Sequence, residues 1–460
     1  MKILKFIRFV LCAGGILILL LCILLFFTSR GPYRNVKVDV TLPSDENWKD
    51  SSPLEVGVGV KDITPDLSQY DTWTDVDNDG SFNPELDRYE DRNNNGEFDF
   101  VWLAGFGNSR PAQGINDPLW SRAIAFRNNG ITVVLVSIDS VGITHERYIG
   151  IRKRLSKLNV DIDLVSFACT HTHNAPDTIG LWSYKELIGR RFDEKYMELL
   201  DDRIVGSVIE AVENLAPATT TIAEAKVPID NFSYDSRPPF IVDQKLPLAW
   251  FKNALTGQTI ATLASWGMHP EGFGSKFTKV SSDFVHYFRE AMEKGLDGKE
   301  GFNGFGGKSV FFTGPVGGLM TQLNIDITDR FGVKHGRQGK SKAQGENLAI
   351  LAANQLNRAN LEGLGIMESQ RLAFSAKTIY LPIGWPLKAP VALGLLHPGL
   401  YGLPFKTKVK TEINAVRIGD IEIITSPGEM FPEIIDGGIE SPLGADIKTD
   451  PIEIPPLRKL

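Results

Sequence analysis

Two histidines stand two residues apart in Thr170-His171-Thr172-His173, and a third lies in Met268-His269-Pro270-Glu271. Neutral imidazole ligates zinc and carries protons near neutral pH. In an extended segment, side chains two positions apart share a face, so His171 and His173 can serve one site. A carboxylate, Glu429, follows in Thr425-Ser426-Pro427-Gly428-Glu429. Each of these segments trails an apolar, strand-like run, and strand ends are where α/β bodies gather their sites. His171, His269 and Glu429 together would suit a catalytic zinc with one position left for water. Spacing alone leaves a structural or exposed role for these histidines equally open.

A second chemistry belongs to Asp75-Val76-Asp77-Asn78-Asp79-Gly80 and to Asp91-Arg92-Asn93-Asn94-Asn95-Gly96-Glu97-Phe98-Asp99. Both follow D-x-[DN]-x-[DN]-G, in which alternate side-chain oxygens converge on a hard cation and glycine permits the turn. The expected calcium ligands are Asp75, Asp77 and Asp79 in the first loop, with Asp91, Asn93, Asn95 and Asp99 in the second. The twelfth positions hold Leu86 and Trp102, so neither loop is a complete EF-hand. The pattern resembles the short calcium loops of thrombospondin-type or dockerin-like segments, with a structural role. A pair of solvated acidic turns is the alternative.

The elements that must position these groups are readable from periodicity. Short β-branched runs at 54–60, 131–138, 164–168, 259–266 and 309–312 predict strands. Apolar residues at helical spacing predict helices over 193–215 and 341–356. Interleaving of the two predicts an α/β fold of mixed α+β layered sheets with flanking helices. The stretch 381–405 is apolar, rich in proline and glycine, and aperiodic. It reads as a buried connector or as an exposed apolar lip that could wall a groove for an acyl chain.

Residues 9–27 carry no charge, a run of about 28 Å as a helix at roughly 1.5 Å per residue, after Lys2, Lys5 and Arg8. This predicts an uncleaved membrane anchor over 1–30 with its N-terminus cytoplasmic and the body on the periplasmic or extracellular side. A cleaved signal peptide and a secreted body are the alternative. Residues 31–53 read as a stalk and 54–460 as one catalytic domain, with 71–99 as an inserted calcium-loop segment. Beyond residue 30 the chain holds 45 basic against 56 acidic residues, which argues against a nucleic-acid binder. No protein partner is indicated. Cys169 is the only cysteine past residue 30, so the body forms no internal disulfide.

From about Val56 onward the chain resembles the N-terminal domain of the neutral/alkaline non-lysosomal ceramidases, in particular a bacterial branch with an acidic calcium-loop insertion. The matching segments are Ala104-Gly105-Phe106-Gly107, Asp117-Pro118-Leu119-Trp120-Ser121-Arg122-Ala123, Thr170 to His173, Met268-His269-Pro270-Glu271, Ser281-Ser282-Asp283 and Pro427-Gly428-Glu429. The resemblance implies a zinc amidohydrolase acting on a lipid or N-acyl substrate. It implies zinc on His171, His269 and Glu429, with His173 beside the scissile amide and Arg237 polarising the substrate. It also places Gly317, Gly318 and Thr321 at the substrate. Two positions depart from the family. The nucleophilic serine aligns with Gly317, and the fourth ligand, a tyrosine after Pro-Gly-Glu, has no counterpart because the last tyrosine is Tyr401. A lipid- or glycan-binding surface protein with impaired catalysis, or a zinc hydrolase of ester bonds, therefore remains alongside.

Overall fold

The computed structural model describes residues 33–44, 53–183, 193–236, 241–384, 400–401 and 408–436, except 319, 338 and 368, together with 12–17, 19–20 and 23. An eight-stranded mixed sheet organises the body. Its strands are β2 (Glu55–Asp62), β3 (Trp120–Asn128), β4 (Ile131–Ile138), β5 (Leu164–Cys169), β6 (Ala216–Lys226), β7 (Lys245–Asn253), β8 (Thr259–Trp266) and β9 (Lys308–Thr313). Their order is β9-β8-β7-β6-β2-β3-β4-β5, with β4/β5 and β8/β9 parallel and the other neighbours antiparallel.

β4 is buried at every position. Val134, Val136 and Ile138 face one core, while Val133 and Leu135 face another. Burial on both faces is why its sequence is a continuous apolar run rather than an alternation. The first face is covered by α1 (His145–Lys157) and α2 (Glu194–Glu213). Farther along the sheet, α3 (Phe284–Lys294) and α4 (Lys340–Leu361) bury Phe284, Phe288, Leu348 and Leu356 against Trp266 and Phe311. Both helix starts are capped: the Thr144 hydroxyl and the Asp193 carboxylate accept from backbone N–H groups of the first turn.

The opposite face carries a second, antiparallel sheet: β1 (Asp39–Leu42), β10 (Leu372–Pro382), β11 (Leu400–Tyr401), β12 (Lys408–Ile418) and β13 (Ile421–Thr425). Leu372, Phe374, Ala376, Val416 and Ile418 pack on Phe126, Leu135 and Phe251 of the first sheet. The layers are thus helices, sheet, sheet, as mixed α/β as expected. The stalk reading fails over part of its range. Asp39–Leu42 pairs with β10, from Asp39 opposite Lys377 to Leu42 opposite Phe374. Val38, Val40 and Leu42 are packed against the core, which explains why the chain stays on the body there.

The first sheet curls until its edges meet. β9 packs against β3, β4 and β5 through side chains rather than a ladder. Ser137 Oγ donates to Phe311 O at 2.6 Å, Arg122 Nη1 to Ser309 O at 2.8 Å and Thr313 Oγ1 to Thr170 O at 2.7 Å. Buried ion pairs brace this seam: Arg289 of α3 takes Asp139 bidentately at 3.0 and 2.6 Å, and Arg122 pairs with Glu293. Removing one partner of such a pair strands a buried charge, so the seam is held against slippage. The curl brings the ends of both parallel pairs to one place.

Among the described residues no helix is long and apolar enough to cross a membrane. Most of 1–30, on which the anchor expectation rests, lies outside them. So do 385–399 and 402–405 of the apolar stretch.

Candidate metal centre

The Thr170–His173 segment leaves β5 at the curled seam. Thr170 and Thr172 are fully buried and bind it down, with Thr172 Oγ1 donating to Ser281 O at 2.8 Å. Strand alternation, however, is not what pairs the two imidazoles. His171 has φ of +66°, so the chain kinks through the left-handed region instead of continuing as strand. Even so, the ring centroids lie 5.2 Å apart. His269 follows β8, with its ring 4.9 Å from His171 and 5.4 Å from His173. The backbone closes the group: His173 N–H donates to Pro270 O at 3.0 Å.

Glu429 arrives from the second sheet, four residues after β13. Its Oε1 lies 3.4 Å from His171 Nε2 and its Oε2 lies 3.7 Å from His269 Nε2. The other ring nitrogens face backbone carbonyls: His171 Nδ1 is 2.7 Å from Val141 O, and His269 Nδ1 is 2.8 Å from Met320 O. A carbonyl only accepts, so each Nδ1 carries the proton and each Nε2 turns a lone pair towards the carboxylate. Two lone pairs and an anion require a positive charge among them. Protons meet that demand in part: burial works against a charged His269, but the Glu429 and Glu271 carboxylates outweigh it and raise its pKa. Hydrogen bonds from His171 and His269 hold the Glu429 carboxyl far below the usual range. A metal ion meets the same demand. Donors about 2.0–2.1 Å from a tetrahedral centre lie roughly 3.3–3.4 Å apart, close to the spacing found. The residues fit zinc.

His173 is held differently. Its Nδ1 sits 3.1 Å from Glu271 Oε2, and both side chains are buried. Burial pushes the His173 pKa down, against the pull of Glu271. The Phe106 ring meets it edge-on at 5.1 Å. Gly105, at φ +100°, lies so close that a Cβ there would fall 2.3 Å from the imidazole. The Arg110 guanidinium ties Ala104 O, His173 O and Phe277 O together at 3.0–3.4 Å. Glu271 has no role in the reading of the sequence. Its signal was its place two residues after His269.

Gly317 and Gly318 form a turn beyond β9, and Thr321 is buried with its hydroxyl bonded to Glu271. Arg237 lies outside the described residues.

The acidic loops are separate from this centre. Carboxylate oxygens of Asp75, Asp77 and Asp87 lie within 4.8 Å of one another. The third member is Asp87, one residue past the twelfth position, and not the expected Asp79, whose Oδ1 accepts from Ser81 N at 2.7 Å. In the second loop Asp91 accepts from Asn95 N and Gly96 N, while the Asn93 and Asn95 amides both donate to Asp99 Oδ2 at 2.7 Å. Behind the loops, Trp73, Phe82, Phe98 and Phe100 form a small aromatic core of their own.

Residues 95–314 match the family model described as neutral/alkaline non-lysosomal ceramidase, N-terminal. Two solved structures share the fold. One is a neutral ceramidase from Pseudomonas aeruginosa, 18% identical, with a TM-score of 0.58, covering 84% of this chain and 64% of that one. The other, described as a ceramidase complexed with C2, is 17% identical with the same TM-score and coverage. The chain therefore spans 64% of the length of each. No curated protein matches in sequence. The match to the neutral/alkaline ceramidase model is confined to 95–314, a segment that contains the three histidines, and Gly317 and Glu429 fall beyond it.

Proposed function

We propose that this chain is a zinc-dependent hydrolase that cleaves an amide bond in a lipid or N-acyl substrate outside the cytoplasm. The observation that supports it is the convergence of His171 Nε2 and His269 Nε2 on the Glu429 carboxylate. When bound, zinc polarises the substrate carbonyl and acidifies water towards pKa about 7. His173 Nδ1 lies 3.1 Å from the Glu271 carboxylate, which favours the proton on Nδ1 and leaves Nε2 to take a proton and return it to the departing amine. The Phe106 ring and Gly105 fix the plane in which that exchange occurs. Arg237 is assigned to the developing oxyanion. Asp75, Asp77 and Asp87 would take a structural calcium ion, and residues 1–30 would anchor the domain beside its lipid substrate. Residues 54–460 form one catalytic domain in this reading.

A lipid- or glycan-binding protein without turnover is the second reading, favoured by glycine at position 317. Zinc analysis of the full chain, with hydrolysis assays on N-acyl and ester substrates, separates the two. Stoichiometric zinc and amide cleavage, both lost in His171→Ala, support the hydrolase. Ligand binding without cleavage of either bond class supports the alternative, and ester cleavage alone would move the activity to esters.

A further inference from the structure

The loop from Gly314 to Met320 touches both sheets' contributions to the metal centre. At its far end Met320 O accepts from His269 N at 3.2 Å and from its Nδ1 at 2.8 Å. At its near end the Gly317 N–H donates to Met430 O at 2.9 Å, one residue beyond Glu429. The approach there leaves no room for a side chain. A Cβ on Gly317 would lie 2.9 Å from the carbonyl carbon and oxygen of Met430 and from the nitrogen of Phe431. Those are backbone atoms of the segment that carries Glu429, so they have no side-chain rotamer to swing aside.

We propose that Gly317 is a positioning residue for Glu429: its missing side chain is what lets the second sheet deliver the carboxylate to His171 and His269. The inference rests on the metal-centre reading above. One short loop thereby fixes the orientation of His269 through Met320 and the depth of Glu429 through Gly317. A side chain at 317 pushes Met430 and Phe431 outward and takes Glu429 with them. An ion coordinated by nitrogen and oxygen at about 2 Å tolerates displacements of only a few tenths of an ångström, so the effect appears in metal affinity before it appears in folding.

The test measures zinc dissociation constants of the full chain by dialysis against buffered zinc, with thermal melts and cobalt(II) absorption spectra alongside. Gly317→Ala and Gly317→Ser should weaken zinc at least tenfold and alter the cobalt spectrum, while melting cooperatively within a few degrees of the parent. Because Gly317 acts through Glu429, the double variant Gly317→Ala/Glu429→Ala should bind zinc no more weakly than Glu429→Ala alone. Parental affinity in Gly317→Ala, or losses that simply add in the double variant, overturns the proposal. Loss of cooperative melting in both single variants also overturns it, since Gly317 would then be a packing residue of the body. If His171→Ala binds zinc as well as the parent does, the metal-centre reading itself falls, and that outcome is distinct from the others.

Discussion

The histidine centre and the acidic loops both gather ligand atoms, yet they are built in opposite ways. The centre draws donors from three distant segments on two sheets, and nearly every donor is held by something else: Val141 O, Met320 O, Glu271 or Phe106. In the loops, Asp75 and Asp91 accept from backbone N–H groups only four or five residues away. A ligand set held from outside keeps its shape without its ion, whereas a loop that folds on its own side chains uses a cation to tighten what it already has. Geometry is therefore the contribution of the fold at one site and of local sequence at the other.

The contrast can be broken most directly by exchanging losses between the sites. His171→Ala should weaken zinc more than 100-fold and take hydrolysis to background, since even outer partners of ligands cost 10–100-fold. Asp75→Ala should leave turnover within about twofold. Comparable losses in both, read by zinc titration and initial rates, would end the distinction.

Glu271→Gln should reduce kcat about 10–100-fold, with zinc affinity changed much less, because its nearest partner is His173 rather than one of the proposed ligands His171, His269 and Glu429. A kcat unchanged from the parent would leave that buried contact without a catalytic part.

In the loops the weight falls on stability. Asp87 is buried and accepts from Val76 N at 2.9 Å and Asn83 N at 2.7 Å. Asp87→Ala should cost about 1–3 kcal/mol in urea unfolding with or without calcium, as two N–H groups lose their partner. Calcium removal from the parent should increase cleavage within 71–99 and leave the histidine segments protected. Equal protease resistance with and without calcium would remove the structural ion.

A further effect concerns pH. Asp283 is buried beneath the loop bearing Glu271, accepting from Phe273 N at 3.3 Å, and burial pushes its carboxyl up to about 7 from 3.8. Between those values the folded chain holds a proton that the unfolded chain has released. Stability should therefore fall as pH rises from about 4 to 7 and level off above. Asp283→Asn should flatten that slope in urea midpoints measured across the range, and an unchanged slope would place its origin elsewhere.

How much of this was legible depended on how local the physics was. β4 and α2 were readable because two-sided burial and a helical stripe leave their own periods. The second sheet was not, although Leu372, Phe374 and Ala376 alternate cleanly. Lys410 and Glu412 stand at buried positions of β12, so that strand does not read as apolar. The residue types at the metal centre were visible, but their meeting was not. It depends on the curl of the first sheet and on a seam of Arg122, Arg289 and Asp139 that no local pattern announces. Asp87 escaped notice for a simpler reason, lying one position past the one the motif specifies.

β1 has a consequence for the order of assembly. Asp39–Leu42 leaves the ribosome before the other strands described, yet its partner β10 comes more than 300 residues later. Closing so long a loop is entropically slow, and synthesis runs at about 5–20 residues per second, so this strand spends many seconds with its hydrogen-bonding edge bare. Val38, Val40 and Leu42 are apolar throughout that interval. The first strand of the second sheet thus waits for a partner made late in synthesis, and the nascent chain carries an adhesive segment until β10 has been made.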